Sequence, residues 1–566
     1  MVGTAELRVF CAGAHLDIER LATRGSFFHL DAFATNRIMP RVRETASPGA
    51  DLKTECGWCF SMSAADFGVI IWTVFYLAVV LGLSAYGLHR YFIVYLFHRH
   101  KKDQLLPKEQ FTELPKVTVQ LPIFNELYVV ERLLQAVSRL DYPKDKLEIQ
   151  MLDDSTDETQ AVAKAEVEKL VRAGFNAKYL HRTDRTGFKA GALDAGLRVA
   201  EGEYIFILDA DFLPTPDILQ KTIHYFTDPG VGMIQTRWGH INVNYSLLTR
   251  VQAMFLDGHL LLEQTARSRS GRFFNFNGTA GVWRKSTIID AGGWEHDTLT
   301  EDLDLSYRAQ LKGWRFKFLP FLVTPAELPV DMNGFKSQQH RWTKGSVQTC
   351  KKILPRIWKS DFPFWIKAEA TVHLTSNFAY LLLVLLCVLI HPAFSPVDGG
   401  IWKTVLLDIP VYIASSLSVV VFYWYCQKQL YPDKWYKQMI LLPLLISLGI
   451  GLSISNAKAV LEAMFNHETP FNRTPKYGIV KDRKNWQASR YLPSKSFIIL
   501  IELAFALYFF WYTVYCAAMN LWITFPFACL FLLGFGYVAG SSIAQTFGRP
   551  KQEANADVDP EAIVAA

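Results

Sequence analysis

Long tracts of one charge are missing from this sequence of 566 residues, where 59 Lys and Arg against 53 Asp and Glu leave a net charge of only +6. A nucleic-acid backbone is bound through dense basic surface, so no nucleic acid is implied as a partner. Cysteine is sparse as well, and eight residues in this length do not build a disulfide framework. Cys387, Cys426, Cys516 and Cys529 lie in apolar runs and read as small hydrophobes. Cys56-Gly57-Trp58-Cys59 is a lone CxxC with no second pair, which argues against a zinc or redox site. Neither GxGxxG nor GxxxxGK[ST] is present, which disfavours dinucleotide and P-loop chemistry. Residues 1–62 carry no apolar run of signal-peptide type and read as a poorly ordered extension; residues 549–566, acidic, read as a disordered tail.

What the chain does contain is apolar length. A helix needs roughly 20 residues to cross about 30 Å of hydrocarbon. Phe67 to Leu88 meets that without a charge, within a first membrane helix and juxtamembrane segment at 63–97. Ala370 to Ile390 and Ile409 to Gln427 are the next candidates, in a stretch of transmembrane and in-plane helices at 370–465. No residue from Leu503 to Gly548 is charged, so 497–548 reads as a helical hairpin hinged near Met519-Asn520. Arg90, Arg99, Lys101 and Lys102 after the first span place the following domain on the cytosolic side. The aromatic and basic mixture around 351–369, with Trp358, Phe364 and Trp365, suits an interfacial helix or one packed on the soluble domain. Gln438 to Asn456 is apolar enough to span, yet the basic stretch Arg473 to Arg490 after it is also expected in the cytosol. Gly449, Gly451, Ser453, Ser455 and Asn456 therefore suggest a bent or in-plane segment. The whole reads as a multi-pass integral membrane protein of an inner, plasma or Golgi-type membrane.

Between the first span and residue 350 the pattern changes. Val117 to Leu121, Leu147 to Leu152 and Tyr204 to Leu208 read as strands; Tyr128 to Leu140, Glu158 to Arg172 and Lys189 to Ala200 read as helices. Such alternation implies a parallel sheet wrapped by helices, with ligands at the carboxyl ends of the strands. Acids stand there: Asp153-Asp154 after one strand and Asp209-Ala210-Asp211 after another. Two acids at a strand end often only cap the next helix. Flanking one residue on a loop, however, Asp209 and Asp211 present hard oxygens suited to Mg²⁺ or Mn²⁺ with substrate phosphates. Glu301-Asp302 brings a carboxylate from far along the chain, suited to general-base work. Gln338-Gln339-His340-Arg341-Trp342 sets a guanidinium that pairs with phosphate beside an indole on which a sugar ring stacks.

Taken together and in order, these residues resemble the processive family-2 glycosyltransferases with a D, D, D, QxxRW pattern, over roughly Pro115 to Lys476. The resemblance implies an α/β GT-A-type domain at 110–350 joined to a helical transmembrane bundle. By that resemblance Phe124 stacks on the nucleotide base, Glu126, Asp153 and Asp154 contact the nucleoside, and Lys189 approaches the diphosphate. Asp209 and Asp211 hold the metal, with Asp209 also facing the donor, and Asp302 is the catalytic base beside Glu301. Arg341 meets the diphosphate, while Gln338 and Trp342 meet the acceptor. Phe471-Asn472-Arg473-Thr474-Pro475-Lys476 resembles an FxVTxK gating loop within 466–496, with Phe471, Thr474 and Lys476 matching and Arg473 replacing the valine. Phe276-Asn277-Gly278-Thr279 stands where cellulose synthases have Cys-Gly-Ser. The closest look is to plant-type mannan and xyloglucan-backbone synthases and bacterial relatives.

The implied function is inverting polymerisation of hexose from GDP-mannose or UDP-glucose into a β-linked glycan, with extrusion across the bilayer. The partners are then the nucleotide sugar, the growing glycan and the lipid. Three other readings share some of these features: single transfer to ceramide or diacylglycerol, a transporter marked by Glu502, and a degenerate scaffold.

Overall fold

The computed structural model describes residues 64–103, 105–390, 409–467, 473–479 and 497–547. The N-terminal extension with its CxxC, Phe471 and the C-terminal tail lie outside the described residues. The catalytic-type domain is built on a seven-stranded sheet of order β3-β2-β1-β4-β6-β5-β7. Its strands are β1 (Val117–Ile123), β2 (Leu147–Asp153), β3 (Asn176–His181), β4 (Tyr204–Ile207), β5 (Val231–His240), β6 (Gly281–Arg284) and β7 (Arg315–Ala326). The first four are parallel, as the alternation of strand and helix requires. The other half is mixed, because β6 runs antiparallel to both β4 and β5. The expectation of a purely parallel sheet is corrected there.

Side-chain alternation divides the sheet between two cores. Val117, Val119 and Leu121 face one side with Tyr204 and Phe206. Ile205, Ile207, Met233 and Trp283 face the other. Helices α2 (Val130–Val137) and α3 (Thr159–Arg172) cover the first face, and α4 (Phe188–Val199) packs on the second. The register places Ile123 opposite Asp153 and Gln120 opposite Ile207. The strand-end acids therefore emerge along one edge.

The remaining helices, in chain order, are α1 (Ala64–His100), α5 (Ile218–Ile223), α6 (Leu247–Asp257), α7 (Gln264–Arg269), α8 (Lys285–Asp290), α9 (Glu301–Leu311), α10 (Met332–Lys359), α11 (Phe364–Thr375), α12 (Phe378–Leu389), α13 (Ile409–Tyr412), α14 (Ser418–Leu430), α15 (Trp435–Met439), α16 (Leu442–Met464), α17 (Ile498–Ala518) and α18 (Phe525–Phe547). Among the described residues, Ile70–His100, Ile409–Leu430, Trp435–Met464, Ile498–Ala518 and Phe525–Thr546 are long and apolar enough to cross a membrane. The last two meet at Met519-Asn520, where Asn520 takes a φ of 56°.

Two membrane expectations change. The run 370–390 is not one helix: α11 and α12 meet at an angle of 59°. The run 438–456, expected as a bent or in-plane segment, breaks ahead of its glycines, at 440–441, and runs through them as unbroken helix in α16. Gly451 serves close contact there. A Cβ on Gly451 would stand 2.3 Å from the Gly534 carbonyl oxygen, and one on Gly534 would stand 2.3 Å from that of Ser447. Both ends of α16 also lie on the catalytic-domain side. Leu441, Leu442 and Leu445 at its start join a core with Leu248 and Met254 of α6. At its end, Lys351 Nζ of α10 donates to the Ala463 and Met464 carbonyls at 3.0 and 3.1 Å.

The segment 351–369 is likewise two pieces. Ile353 and Ile357 finish α10 and are buried against Phe273, Leu303 and Tyr307, while Trp358, Phe364 and Trp365 are exposed. Gly451→Ala should cost about 1–3 kcal/mol through overpacking at the α16–α18 crossing. The check is thermal unfolding of the detergent-solubilised protein, where an unshifted midpoint would contradict so close an approach.

Candidate active site

The strand ends, the first turn of α9, one face of α10 and the segment 473–477 meet in a single cleft. The expected metal pair lies at its floor. Asp209 accepts from Lys189 Nζ, which also donates to the Gly278 carbonyl at 3.0 Å. Asp211, almost wholly buried, accepts at Oδ2 from Lys476 Nζ at 2.7 Å and from the Glu327 backbone N–H at 3.2 Å. Among the described residues, each aspartate keeps a second carboxylate oxygen with no hydrogen bond from the protein. Hard oxygens of this kind fit a divalent cation. Another acidic group, Glu295, Asp297 and Asp304, does not compete for the assignment, because Lys352 already pairs with all three.

Asp302 sits in the first turn of α9, where the helix dipole favours negative charge and the Leu303 N–H donates to Oδ1 at 2.8 Å. The surroundings nevertheless raise its pKa to about 7. Burial is the main cause and repulsion from Glu301 the second, only partly offset by the Lys189 ammonium. Gly278 makes room for it: its φ is +82°, and a Cβ there would stand 2.9 Å from Asp302 Oδ2. Lys189 itself is held charged, since Asp209 and Glu301 outweigh the effect of its burial.

Gln338, Arg341 and Trp342 fall at i, i+3 and i+4 of α10, so they share one helix face. The helix starts at Asp331, whose side chain accepts from the Gly334 N–H at 2.6 Å. Arg341 feels Glu301, Asp209 and Asp302 together, although burial is the larger influence and lowers its pKa. Trp342 leans on Trp238 of β5 with ring centres 6.4 Å apart. Trp238 in turn meets Phe212 edge-on.

The expected nucleoside residues are close together but already engaged. Asp153 accepts from the Ser155 N–H at 2.8 Å and from the Tyr179 hydroxyl at 2.6 Å. Asp154 is paired in a fork by Arg182 at 2.8 and 2.5 Å. The Arg185 guanidinium lies over the Phe124 ring, 3.3 Å from its centre, on the face expected for a base. Glu126 pairs with Arg473 at 2.6 Å, and burial lifts its carboxyl to about 7 despite that partner. Of the gating-loop residues, Lys476 is in the cleft as described, and Thr474 is buried.

Sequence reasoning missed Glu327, Tyr477, Arg182, Arg185 and Trp238. Glu327 is buried at the end of β7, accepts from the Tyr477 N–H at 3.0 Å, and ties segment 473–477 to the Asp211 loop. A single acid just past an apolar strand was the available signal. The intramembrane Glu502 is explained by a partner on α10, Lys336, 2.6 Å away.

A glycosyl transferase family 2 model matches residues 118–288, and a family group 2 model matches 204–453. The chain belongs to the family-2 glycosyltransferases. Among curated proteins it resembles "Glucomannan 4-beta-mannosyltransferase 2" of Arabidopsis thaliana, 36% identical over 347 residues, 58% of this chain and 64% of that one. It also resembles "Probable glucomannan 4-beta-mannosyltransferase 3" of Oryza sativa subsp. japonica, 38% identical over 327 residues, 55% of this chain and 59% of that one. The match thus spans less than two thirds of these relatives' length. Among solved structures, a mannosyltransferase from Pyrobaculum calidifontis in complex with GDP-Man and Mn²⁺ aligns at a TM-score of 0.49. It is 22% identical and covers 69% of this chain and 99% of that one.

Gly278→Ala should lower sugar-nucleotide turnover by about 10²-fold, because a methyl there displaces Asp302 from its position. Turnover close to wild type in a variant of unchanged thermal stability would show that Asp302 has no such need of the space.

Proposed function

We propose that this protein transfers mannose from GDP-mannose to a β-1,4-linked glycan of glucomannan type, with inversion at the anomeric carbon. The observation that carries the chemistry is the gathering of Glu301, Asp302, Asp209, Lys189 and Arg341 within electrostatic reach of one another. The donor sugar and the linkage rest on the names of the relatives, glucomannan 4-beta-mannosyltransferases.

In this reading Asp302 takes the proton from the acceptor's O4, and that oxygen attacks the anomeric carbon from the side opposite the leaving nucleotide. A carboxylate with a pKa near 7 is a better proton acceptor than one at the usual value, yet remains ionised in a useful fraction at neutral pH. Arg341 and Lys189 face the departing diphosphate as donors already in place. Trp342 offers its ring to the apolar face of the acceptor sugar. Asp209 and Asp211 hold Mg²⁺ or Mn²⁺, which supplies Lewis-acid stabilisation to the diphosphate when bound. Phe124 and Arg185 receive the base, with Arg185 shifting to cover it.

The membrane arrangement follows from the cleft. Segment 473–477 reaches Glu126 and Asp211, so it lies on the same side as the catalytic domain. An even number of crossings must separate the two. We assign one to the broken α11–α12 pair and one to 409–430, with α16 in the membrane plane between the bundle and the domain. The basic residues after α1 put that side in the cytosol, and the glycan leaves through the bundle.

With Asp302→Asn, transfer should fall by about 10²- to 10⁴-fold, the usual contribution of a general base, while GDP affinity is retained. In the wild type, kcat/KM should drop as pH falls through the Asp302 pKa, because the base must be ionised. Burial, then Glu301 and Asp209, set that limb high, and Lys189, Arg341 and a bound cation lower it. Labelled GDP-mannose should give a high-mass product digested by β-mannanase. A label found only on a single-sugar lipid, or turnover of UDP-glucose alone, would overturn the reading.

A further inference from the structure

One cluster of ionisable side chains beside the cleft has no part in the steps above. Between α6 and α7 the helix widens into a π-turn at Gly258–Glu263. Such turns add a residue to the helix and frequently occur at functional sites. The turn is fixed from outside, since a Cβ on Gly258 would stand 2.7 Å from Phe422 of α14. Its neighbours Leu260, Leu261, Leu262, Gln264 and Arg267 are buried. His259 and Glu263 are half-buried: their side chains keep 33% and 28% of their surface.

The two side chains pair, His259 Nδ1 to Glu263 Oε2 at 3.0 Å, and Arg267 Nη1 reaches the same oxygen at 3.0 Å from beneath. Arg267 is anchored in turn by Glu369 of α11 at 2.7 Å. Glu263 is held well below the ordinary carboxyl range, burial being outweighed by Arg267 and His259. Among the described residues, its other oxygen, Oε1, takes no hydrogen bond from the protein. His259 Nε2 faces Asn277 Oδ1 at 3.4 Å, and Gln264 Nε2 donates to that same oxygen at 2.9 Å. Asn277 precedes Gly278, which lies against Asp302. The pair is thus one residue removed from the wall of the Asp302 pocket, on the side where α1 and α14 pack.

A half-open carboxylate, an imidazole and two primary amides suit neutral polyhydroxyl compounds. A charged acceptor strengthens bonds from hydroxyl donors, and the buried Arg267 fixes the carboxylate before any ligand arrives. A phosphate is disfavoured by the same negative charge. We infer that His259 and Glu263 form a glycan subsite that receives the hydroxyls of the sugar preceding the one attacked. The inference rests on reading the cleft as a glycan-transferring site, and it adds a second anchoring point along the chain.

The experiment measures binding of mannohexaose, cellohexaose and mannose to the detergent-solubilised full chain by calorimetry, beside the binding of GDP with Mn²⁺. One hexaose should bind the wild type more tightly than mannose does. In Glu263→Gln and in His259→Gln that advantage should fall at least tenfold, with GDP affinity unchanged. Hexaose affinity that stays at the wild-type value in both variants, or a wild type that binds neither hexaose better than mannose, overturns the subsite. A parallel loss of GDP affinity and thermal stability in both variants also overturns it, in favour of a structural role. A wild type that binds hexaose but not GDP leaves the subsite standing and refutes the donor.

Discussion

Too much negative charge is gathered in one cleft for the protein to hold it without compensation. Glu126, Asp209, Asp211, Glu301, Asp302 and Glu327 converge there, several of them buried, and like charges at short range in a protein interior repel strongly. The structure answers with cations from separate stretches of chain. Lys189 comes from the start of α4, Arg341 from α10, and Arg473 and Lys476 from the segment beyond α16. Burial first, and repulsion between the acids second, still raise the pKa values of Asp302 and Glu126.

That requirement links the soluble domain to the membrane bundle. Segment 473–477 is drawn onto the cleft by Glu126, Asp211, Glu327 and Asp331, the last accepting from the Tyr477 hydroxyl at 3.2 Å. The helix that carries Arg341 and Trp342 is fastened to α17 through the buried Lys336–Glu502 pair. Removing either member of that pair leaves an uncompensated charge, which in buried pairs is the costly event. The cleft and the helices are thus positioned by the same kind of ionic contact.

Much of this was legible in the chain. The strands β1, β2 and β4 announce themselves as short apolar runs, and acids directly after parallel strands must lie on one sheet edge. Gln338, Arg341 and Trp342 show their common face through helical spacing alone. The antiparallel β6 was not legible, because a four-residue strand carries too little pattern. The glycines of α16 were ambiguous for a physical reason: a small residue in an apolar helix serves bending and close crossing alike, and for Gly451 the neighbouring Gly534 decides between them. Partners such as Arg182 for Asp154 and Glu327 for Tyr477 depend on side-chain placement that no spacing encodes.

On the proposed reading, Lys476 occupies, on Asp211, ground that a divalent cation would also need. Calorimetric titration of Mn²⁺ into the wild type and Lys476→Ala, with and without GDP, tests it directly. The account predicts that the variant binds Mn²⁺ alone more tightly, since a competing ammonium is gone, but binds GDP in the presence of Mn²⁺ more weakly. Mn²⁺ affinity that is equal or weaker in the variant would contradict it.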